Sequence, residues 1–102
     1  GHPYNITVAE GTQIGENVNL HKGCTIGRTN RGNVGVPKIG NCVFIGINAT
    51  VVGNVMVGDD VLIAPNSYVN FDVPAHSVVI GNPATIHHRE NATERYVGFI
   101  DA

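Results

Sequence analysis

The chain has 102 residues, of which 14% are charged, with 13 glycines and no tryptophan. This length supports a single domain, and a net charge of −2 gives no electrostatic reason to expect nucleic acid or an anionic membrane as a partner. No apolar run reaches the ~18–20 residues that a membrane span requires. Two cysteines are too few for a disulfide framework, so we expect reduced thiols, which favour a cytoplasmic location.

Aliphatic residues recur every six positions along most of the chain. The first run consists of Val8, Ile14, Leu20 and Ile26, and the second of Ile39, Ile45, Val51, Val57, Ile63 and Val69. A period of six fits neither an amphipathic helix nor a simple alternating strand. A hexapeptide repeat instead predicts a parallel β-helix, in which three hexads make one triangular coil of about 18 residues.

Each hexad has the composition of a short strand followed by a tight corner. The first side chain is predicted to point inward and the fifth to fill the space beside the corner. The fifth positions are small or β-branched: Thr12, Val18, Cys24, Val43, Ala49, Val55, Val61, Ser67 and Val73. Because each coil pairs only with its neighbours, the two ends need protection, and we expect self-association and further coils upstream.

One segment interrupts the repeat in the middle of the chain. Thirteen positions separate Ile26 from Ile39, where six or twelve would keep the phase. Residues of about 28–38 are therefore predicted to form a loop outside the β-helix. A loop extruded from a regular solenoid is a favoured location for function.

The end of the chain departs from the repeat as well. We predict a β-helix domain over residues 1–86 and a tail over residues 87–102. In that tail Tyr96, Phe99 and Ile100 have the spacing of one side of a short helix. Such a helix would cap the open C-terminal coil.

The hexads, the closing segment and two shorter matches resemble the hexapeptide acyltransferases. Within that family the chain is similar to the serine acetyltransferases and their sugar and polysaccharide O-acetyltransferase relatives. The segment DVPAHSVVIGNPATI at 72–86 resembles the closing strand of acetyl-CoA-dependent members. Residues 2–15 are similar, without a gap, to the stretch that follows the first catalytic histidine of serine acetyltransferases. Residues 35–40 match the end of that family's loop.

The resemblance implies an architecture and a reaction. The β-helix would be left-handed and trimeric, with an active site at each subunit junction, and acetyl would pass from acetyl-CoA to a hydroxyl group. His2 would be the general base, because this step needs a group whose pKa lies near the working pH. Contacts to coenzyme A are implied near Gly27, Lys38, Gly46, Ile47, Ala64 and Pro65. Arg28 and Arg31 are further candidates for its phosphates.

The chain also departs from the serine acetyltransferase pattern at three positions. Val36 stands where that family has a second active-site histidine, Gly35 where it has an arginine near the amino acid carboxylate, and Gly1 where it has an acidic partner of the first histidine. Loss of the arginine removes a bidentate clamp for a carboxylate. Serine and a sugar hydroxyl therefore both stay open as acceptors.

Two other classes of function stay open. A non-catalytic β-helix scaffold would explain Gly35 and Val36. The γ-class carbonic anhydrases share this helix and bind zinc through three histidines, two of them in a His-x4-His spacing that this chain lacks, so no metal is predicted. Of the other histidines, His21 is expected on the surface and His76 in a structural turn.

Overall fold

A computed structural model describes residues 6–30, 32 and 34–94 of the chain. Within these residues the chain forms twelve strands and no helix. The strands are β1 (Thr7–Val8), β2 (Gln13–Ile14), β3 (Asn19–Leu20), β4 (Thr25–Gly27), β5 (Lys38–Ile39), β6 (Val43–Ile45), β7 (Thr50–Val52), β8 (Met56–Val57), β9 (Val61–Ile63), β10 (Tyr68–Val69), β11 (Ser77–Gly81) and β12 (Ala84–His88).

Successive strands belong to three different sheets, which form the faces of a triangular prism. Face A consists of β1, β4, β7 and β10, and face B of β2, β5 and β8. Face C consists of β3, β6, β9, β11 and β12. All neighbouring strands are parallel except β11 and β12, which are antiparallel. The parallel β-helix predicted from the hexads is therefore confirmed.

The first-position side chains stack in register along each face. The stacks are Val8, Ile26, Val51 and Val69 on face A, Ile14, Ile39 and Val57 on face B, and Leu20, Ile45, Ile63 and Val79 on face C. From Ile26 onward they are buried. Val8 and Ile14 remain about 40% exposed because no further coil covers the first one among the described residues.

The fourth coil is shorter than the repeat predicts. Val73, placed by the repeat at a fifth position, instead forms a parallel bridge with Val57 and so continues the first-position stack of face B. Only four positions separate it from Val69, because the corner at residues 70–72 omits two residues. The Asp72 side chain closes this corner by accepting a hydrogen bond from the Met56 N–H at 2.9 Å. The fifth-position assignment of Val73 was therefore wrong.

The final segment turns back on face C. Strand β12 pairs with β11 and ends at His88, two residues beyond the domain boundary predicted at residue 86. Residues 90–94 then form turns. The described part of the predicted tail is thus strand and turn. The helix predicted around Tyr96, Phe99 and Ile100 lies outside the described residues.

Candidate functional site

The extruded loop leaves the β-helix at the edge between faces A and B. It connects β4 to β5 and covers residues 28–37, since Lys38 already belongs to β5. Backbone hydrogen bonds of 3.2 Å in both directions join Thr29 to Gly35 and close the base of the loop. The predicted loop is therefore present and has an ordered stem.

A cleft of about 460 Å³ lies between this loop and face A. The residues that line it are Thr29, Asn30, Gly32, Val52, Gly53, Tyr68 and Asn70. These lining residues belong to the described part of the chain, and they offer hydroxyl and amide groups, exposed backbone and one aromatic ring.

The end of the loop packs closely against the helix. Gly35 has a φ of +140°, and a β-carbon at this position would lie 2.9 Å from Cβ of Asn54. Both facts exclude a larger side chain here in this conformation. Val36 lies over the first coil, where its Cγ2 would be 3.6 Å from a β-carbon built on Gly11. The glycine and valine at positions 35 and 36 therefore fit this packing.

Four of the six predicted coenzyme A contacts lie together at the edge between faces C and A. Gly46 and Ile47 form this corner in one coil, and Ala64 and Pro65 form it in the next. The Asn66 N–H donates to the Ile47 carbonyl at 2.9 Å, which joins the two corners. A β-carbon on Gly46 would lie only 2.7 Å from the Pro65 nitrogen. Glycine thus lets the two backbones approach, and the exposed side chains of Ile47 and Pro65 flank a narrow apolar edge.

The other two predicted contacts lie at the base of the loop. Gly27 is the last residue of β4 and Lys38 is the first residue of β5. Gly27 therefore borders the edge between faces A and B, across face A from the corner of Gly46 and Pro65. The fold does not gather the six predicted contacts at one point but places them on both edges of face A.

The predicted catalytic histidine, His2, lies outside the described residues. His21 occupies the same type of corner as Gly46, one coil earlier, where its N–H donates to the Ile45 carbonyl at 3.1 Å. Its ring packs against Phe44, with 4.5 Å between the ring centroids. His21, which was expected on the surface, is thus half-buried against an aromatic ring.

A hydrogen-bonded cluster around the Asp60 carboxylate, at the edge opposite face A, was not predicted from the sequence. Asp60 lies at a corner between faces B and C, where its carboxylate accepts hydrogen bonds from the Ala92 N–H (2.9 Å), the Thr93 N–H (3.0 Å) and the Thr93 hydroxyl (2.8 Å). The Nδ1 atom of His76 lies 2.8 Å from the same carboxylate. Thr93 is buried, and its hydroxyl proton is shared between the Asp60 carboxylate and the Cys42 carbonyl, whose oxygen lies 3.1 Å from Oγ1. The cluster therefore fastens the turn at residues 91–94 to the helix.

The Asp60 cluster also changes two pKa values. Burial raises the pKa of Asp60, but the hydrogen bonds from Thr93, His76 and Ala92 outweigh it and leave that pKa below its ordinary value. The hydrogen bond to Asp60 raises the pKa of His76. His76 lies in a turn, as predicted, with a positive φ of 58°. The sequence alone did not reveal these contacts of Asp60, because the residues that bond to it lie 16 to 33 positions away along the chain.

No three His, Cys, Asp or Glu side chains among the described residues are grouped so that they could hold a metal ion. Nor does any helix in that part of the chain have the length and apolarity needed to cross a membrane.

Comparison with known proteins agrees with this architecture. Residues 37–70 match the family model described as bacterial transferase hexapeptide (six repeats). A serine acetyltransferase from Helicobacter pylori is 37% identical over 84 residues, which are 81% of this chain and 49% of that protein. Serine acetyltransferase 2 of Arabidopsis thaliana is 37% identical over 86 residues, which are 83% of this chain and 27% of that protein.

Solved structures give the same result. The Brucella abortus serine acetyltransferase in complex with coenzyme A has a TM-score of 0.74 and 37% identity, over 80% of this chain and 33% of that one. The chain thus spans about half or less of the length of the curated relatives it matches. The fold is the left-handed parallel β-helix, and the chain belongs to the hexapeptide-repeat transferase superfamily, in which it resembles the serine acetyltransferases.

Proposed function

We propose that this chain is the catalytic β-helix of an acetyl-CoA-dependent O-acetyltransferase that moves acetyl to a hydroxyl of a small acceptor. The observation that carries the proposal is the similarity to serine acetyltransferases over about four fifths of the chain, in sequence and in fold together. That similarity includes a relative solved with coenzyme A. It covers the loop, both edges of face A and the repeats between them.

The reaction requires a base and a site for the developing oxyanion. The acceptor oxygen attacks the thioester carbonyl carbon while its proton passes to the imidazole of His2, which is the base by resemblance. The C–O bond forms, the C–S bond breaks, and the coenzyme A sulfur leaves with a proton returned from the imidazole. Backbone N–H groups near the loop glycines would stabilise the negative charge on the carbonyl oxygen.

Coenzyme A is proposed to bind along the edges of face A. The corner of Gly46, Ile47, Ala64 and Pro65 offers a narrow apolar edge for the pantetheine arm. Lys38, exposed at the base of the loop, is the proposed phosphate contact, with Arg28 nearby in sequence. An assembly of three copies would place this edge against a neighbouring subunit, and the homotrimer is part of the proposal.

A non-catalytic scaffold is the competing function. It is favoured by one specific observation, the packing of Gly35 and Val36, which leaves the end of the loop without an ionisable side chain.

A cytoplasmic location also stays a prediction, supported by the two cysteines, Cys24 and Cys42, which are not joined to each other.

Thiol release from acetyl-CoA separates the two functions. The protein is incubated with acetyl-CoA and a panel of acceptors containing serine and neutral sugars, and free coenzyme A is measured with a thiol reagent. The proposal predicts acceptor-dependent release that falls at least ~100-fold in His2→Ala, the range for loss of a general base. His87→Ala removes an exposed histidine outside the cleft and serves as the matched control. Absence of coenzyme A binding would support the scaffold instead.

A further inference from the structure

We propose that His21 binds the reactive end of the coenzyme A arm, where its imidazole forms a hydrogen bond with the amide nearest the thioester. This inference rests on the acetyltransferase function proposed above, and it assigns a role to a histidine that the resemblance leaves on the surface. Its support is a row of four residues along the outer side of face C.

Backbone hydrogen bonds align His21 with the corner that is proposed for coenzyme A. The N–H groups of His21, Gly46 and Ala64 each donate to a carbonyl of the neighbouring strand, at 2.9 to 3.1 Å. These three residues therefore lie in one row across the coils, and Ile80 is its last member. The His21 ring lies on the outer surface, because it packs against Phe44, the half-buried middle residue of β6 between two buried neighbours.

The middle of this row is low and apolar. Gly46 has no side chain and Ala64 has only a methyl group. The apolar residues that border them are Phe44, Leu62 and Val78 on face C and Ile47 and Pro65 at the corner. Adjacent strands lie about 4.8 Å apart, so the row extends about 14 Å from His21 to Ile80. An extended, mostly apolar arm can therefore lie along it.

His21 carries the one polar side chain of the row. The amide groups of an arm that lies on an apolar surface lose water and need hydrogen-bond partners. A neutral imidazole has one donor and one acceptor, and an amide group can pair with either. The His21 ring is held by Phe44, with 4.5 Å between the centroids and 38° between the planes, and within the described residues its nitrogens have no hydrogen-bond partner. They are thus available to a ligand.

The predicted base indicates which end of the row is the reactive end. His2 precedes Leu20 by 18 residues, which is one coil of the repeat. The repeat therefore predicts the base one coil from Leu20 and its neighbour His21, whereas Ile80 belongs to the last coil. The thioester is then expected at the His21 end of the row and the nucleotide toward Ile80.

Binding of coenzyme A tests this inference separately from turnover. NMR signals of the His21 ring are followed during addition of coenzyme A or of S-acetylpantetheine, which has the arm without the nucleotide. Titration calorimetry gives the Kd of coenzyme A. His21→Phe keeps an aromatic ring on Phe44 and removes both nitrogens, whereas His21→Gln keeps a hydrogen-bonding amide. His87→Phe is the matched control, because His87 is exposed on β12, four strands away on the same face.

We expect both ligands to shift the His21 ring signals. His21→Phe should weaken coenzyme A binding at least ~3-fold, by the loss of one hydrogen bond, while His21→Gln should weaken it less and His87→Phe should leave it unchanged. Because the amide is uncharged, the loss in His21→Phe should be similar at about 0.05 and 0.5 M salt. Circular dichroism verifies that each variant is folded, and the wild-type ring signals decide the question if His21→Phe is not.

Three outcomes would overturn the inference. These are ring signals that do not move when coenzyme A binds, an equal Kd in folded His21→Phe, and a shift caused by coenzyme A but not by S-acetylpantetheine, which would place a phosphate at His21. Absence of coenzyme A binding to the wild type would overturn both this inference and the proposed function. If coenzyme A binds through His21 but acetyl is not transferred, only the proposed function fails.

Discussion

The carboxylate of Asp60 holds the turn at residues 91–94 against the β-helix. It accepts three hydrogen bonds from Ala92 and Thr93 and contacts His76. Asp60→Ala removes all of these contacts at once. Thr93 retains only its hydroxyl bond to the Cys42 carbonyl.

The loss of stability in Asp60→Ala can be estimated from the two backbone N–H groups that lose their hydrogen-bond acceptor. The backbone N–H groups of Ala92 and Thr93 belong to residues that are 4% and 2% exposed. Each buried donor without a partner costs about 1–3 kcal/mol, which gives about 2–6 kcal/mol if the turn stays in place. The turn can instead detach and expose these donors to water. The loss is then limited to the free energy of docking, and we expect the free energy of unfolding to fall by about 1–3 kcal/mol.

Urea denaturation and amide hydrogen exchange measure the two parts of this effect. We expect a lower urea midpoint for Asp60→Ala and loss of exchange protection at the N–H of Ala92 and Thr93. Asp59→Ala is the matched control. Asp59 accepts one exposed hydrogen bond, from the Asn41 N–H at 2.7 Å, so its loss should cost only about 0.5–1 kcal/mol. Unchanged protection at Ala92 and Thr93 in Asp60→Ala would refute the reasoning.

Three further predictions concern pH, the core and the thiols. The hydrogen bond to Asp60 raises the pKa of His76 above its ordinary value of 6.5. The stabilisation of the fold by this pair is therefore fully present below pH 6.5 and is lost as pH rises through the raised pKa. The melting temperature of the wild type relative to that of His76→Gln should fall over that range, and a constant difference would contradict this. Ile45→Ala should lower the free energy of unfolding by about 2–5 kcal/mol, and Ile14→Ala by much less because Ile14 is 40% exposed; equal losses in urea denaturation would count against the buried stacks. Cys24 is 0% exposed, and this burial raises the pKa of its thiol. A thiol reagent should therefore label the partly exposed Cys42 first and Cys24 only on unfolding. Labelling in the reverse order would argue against the fold.

The repeat predicted the fold because first-position burial is a local signal. Each aliphatic residue from Ile26 to Val69 lies in the stack where the period of six places it. The prediction was wrong at Val73, where the corner omits two residues and the aspartate at position 72 completes the turn. A spacing rule cannot detect such a deletion, because valine suits the first and the fifth positions equally.

The candidate site was predicted only in part, because its parts come from different coils. The loop was predicted from the broken phase between Ile26 and Ile39. The cleft also needs Tyr68 and Asn70, and no local pattern links these residues to the loop. The hydrogen bonds between Asp60 and Thr93 depend on the return of the chain after β12. Such contacts follow from three-dimensional packing rather than from the repeat.

The most direct test of the central claim is to identify the product. The protein is incubated with acetyl-CoA carrying a 13C-labelled acetyl group and a mixture of serine and neutral trisaccharides, and the small molecules are then analysed by mass spectrometry. Our account predicts labelled acetyl on an acceptor hydroxyl in the presence of the wild type and its loss with His2→Ala. Labelled acetate alone, or intact acetyl-CoA, would contradict it.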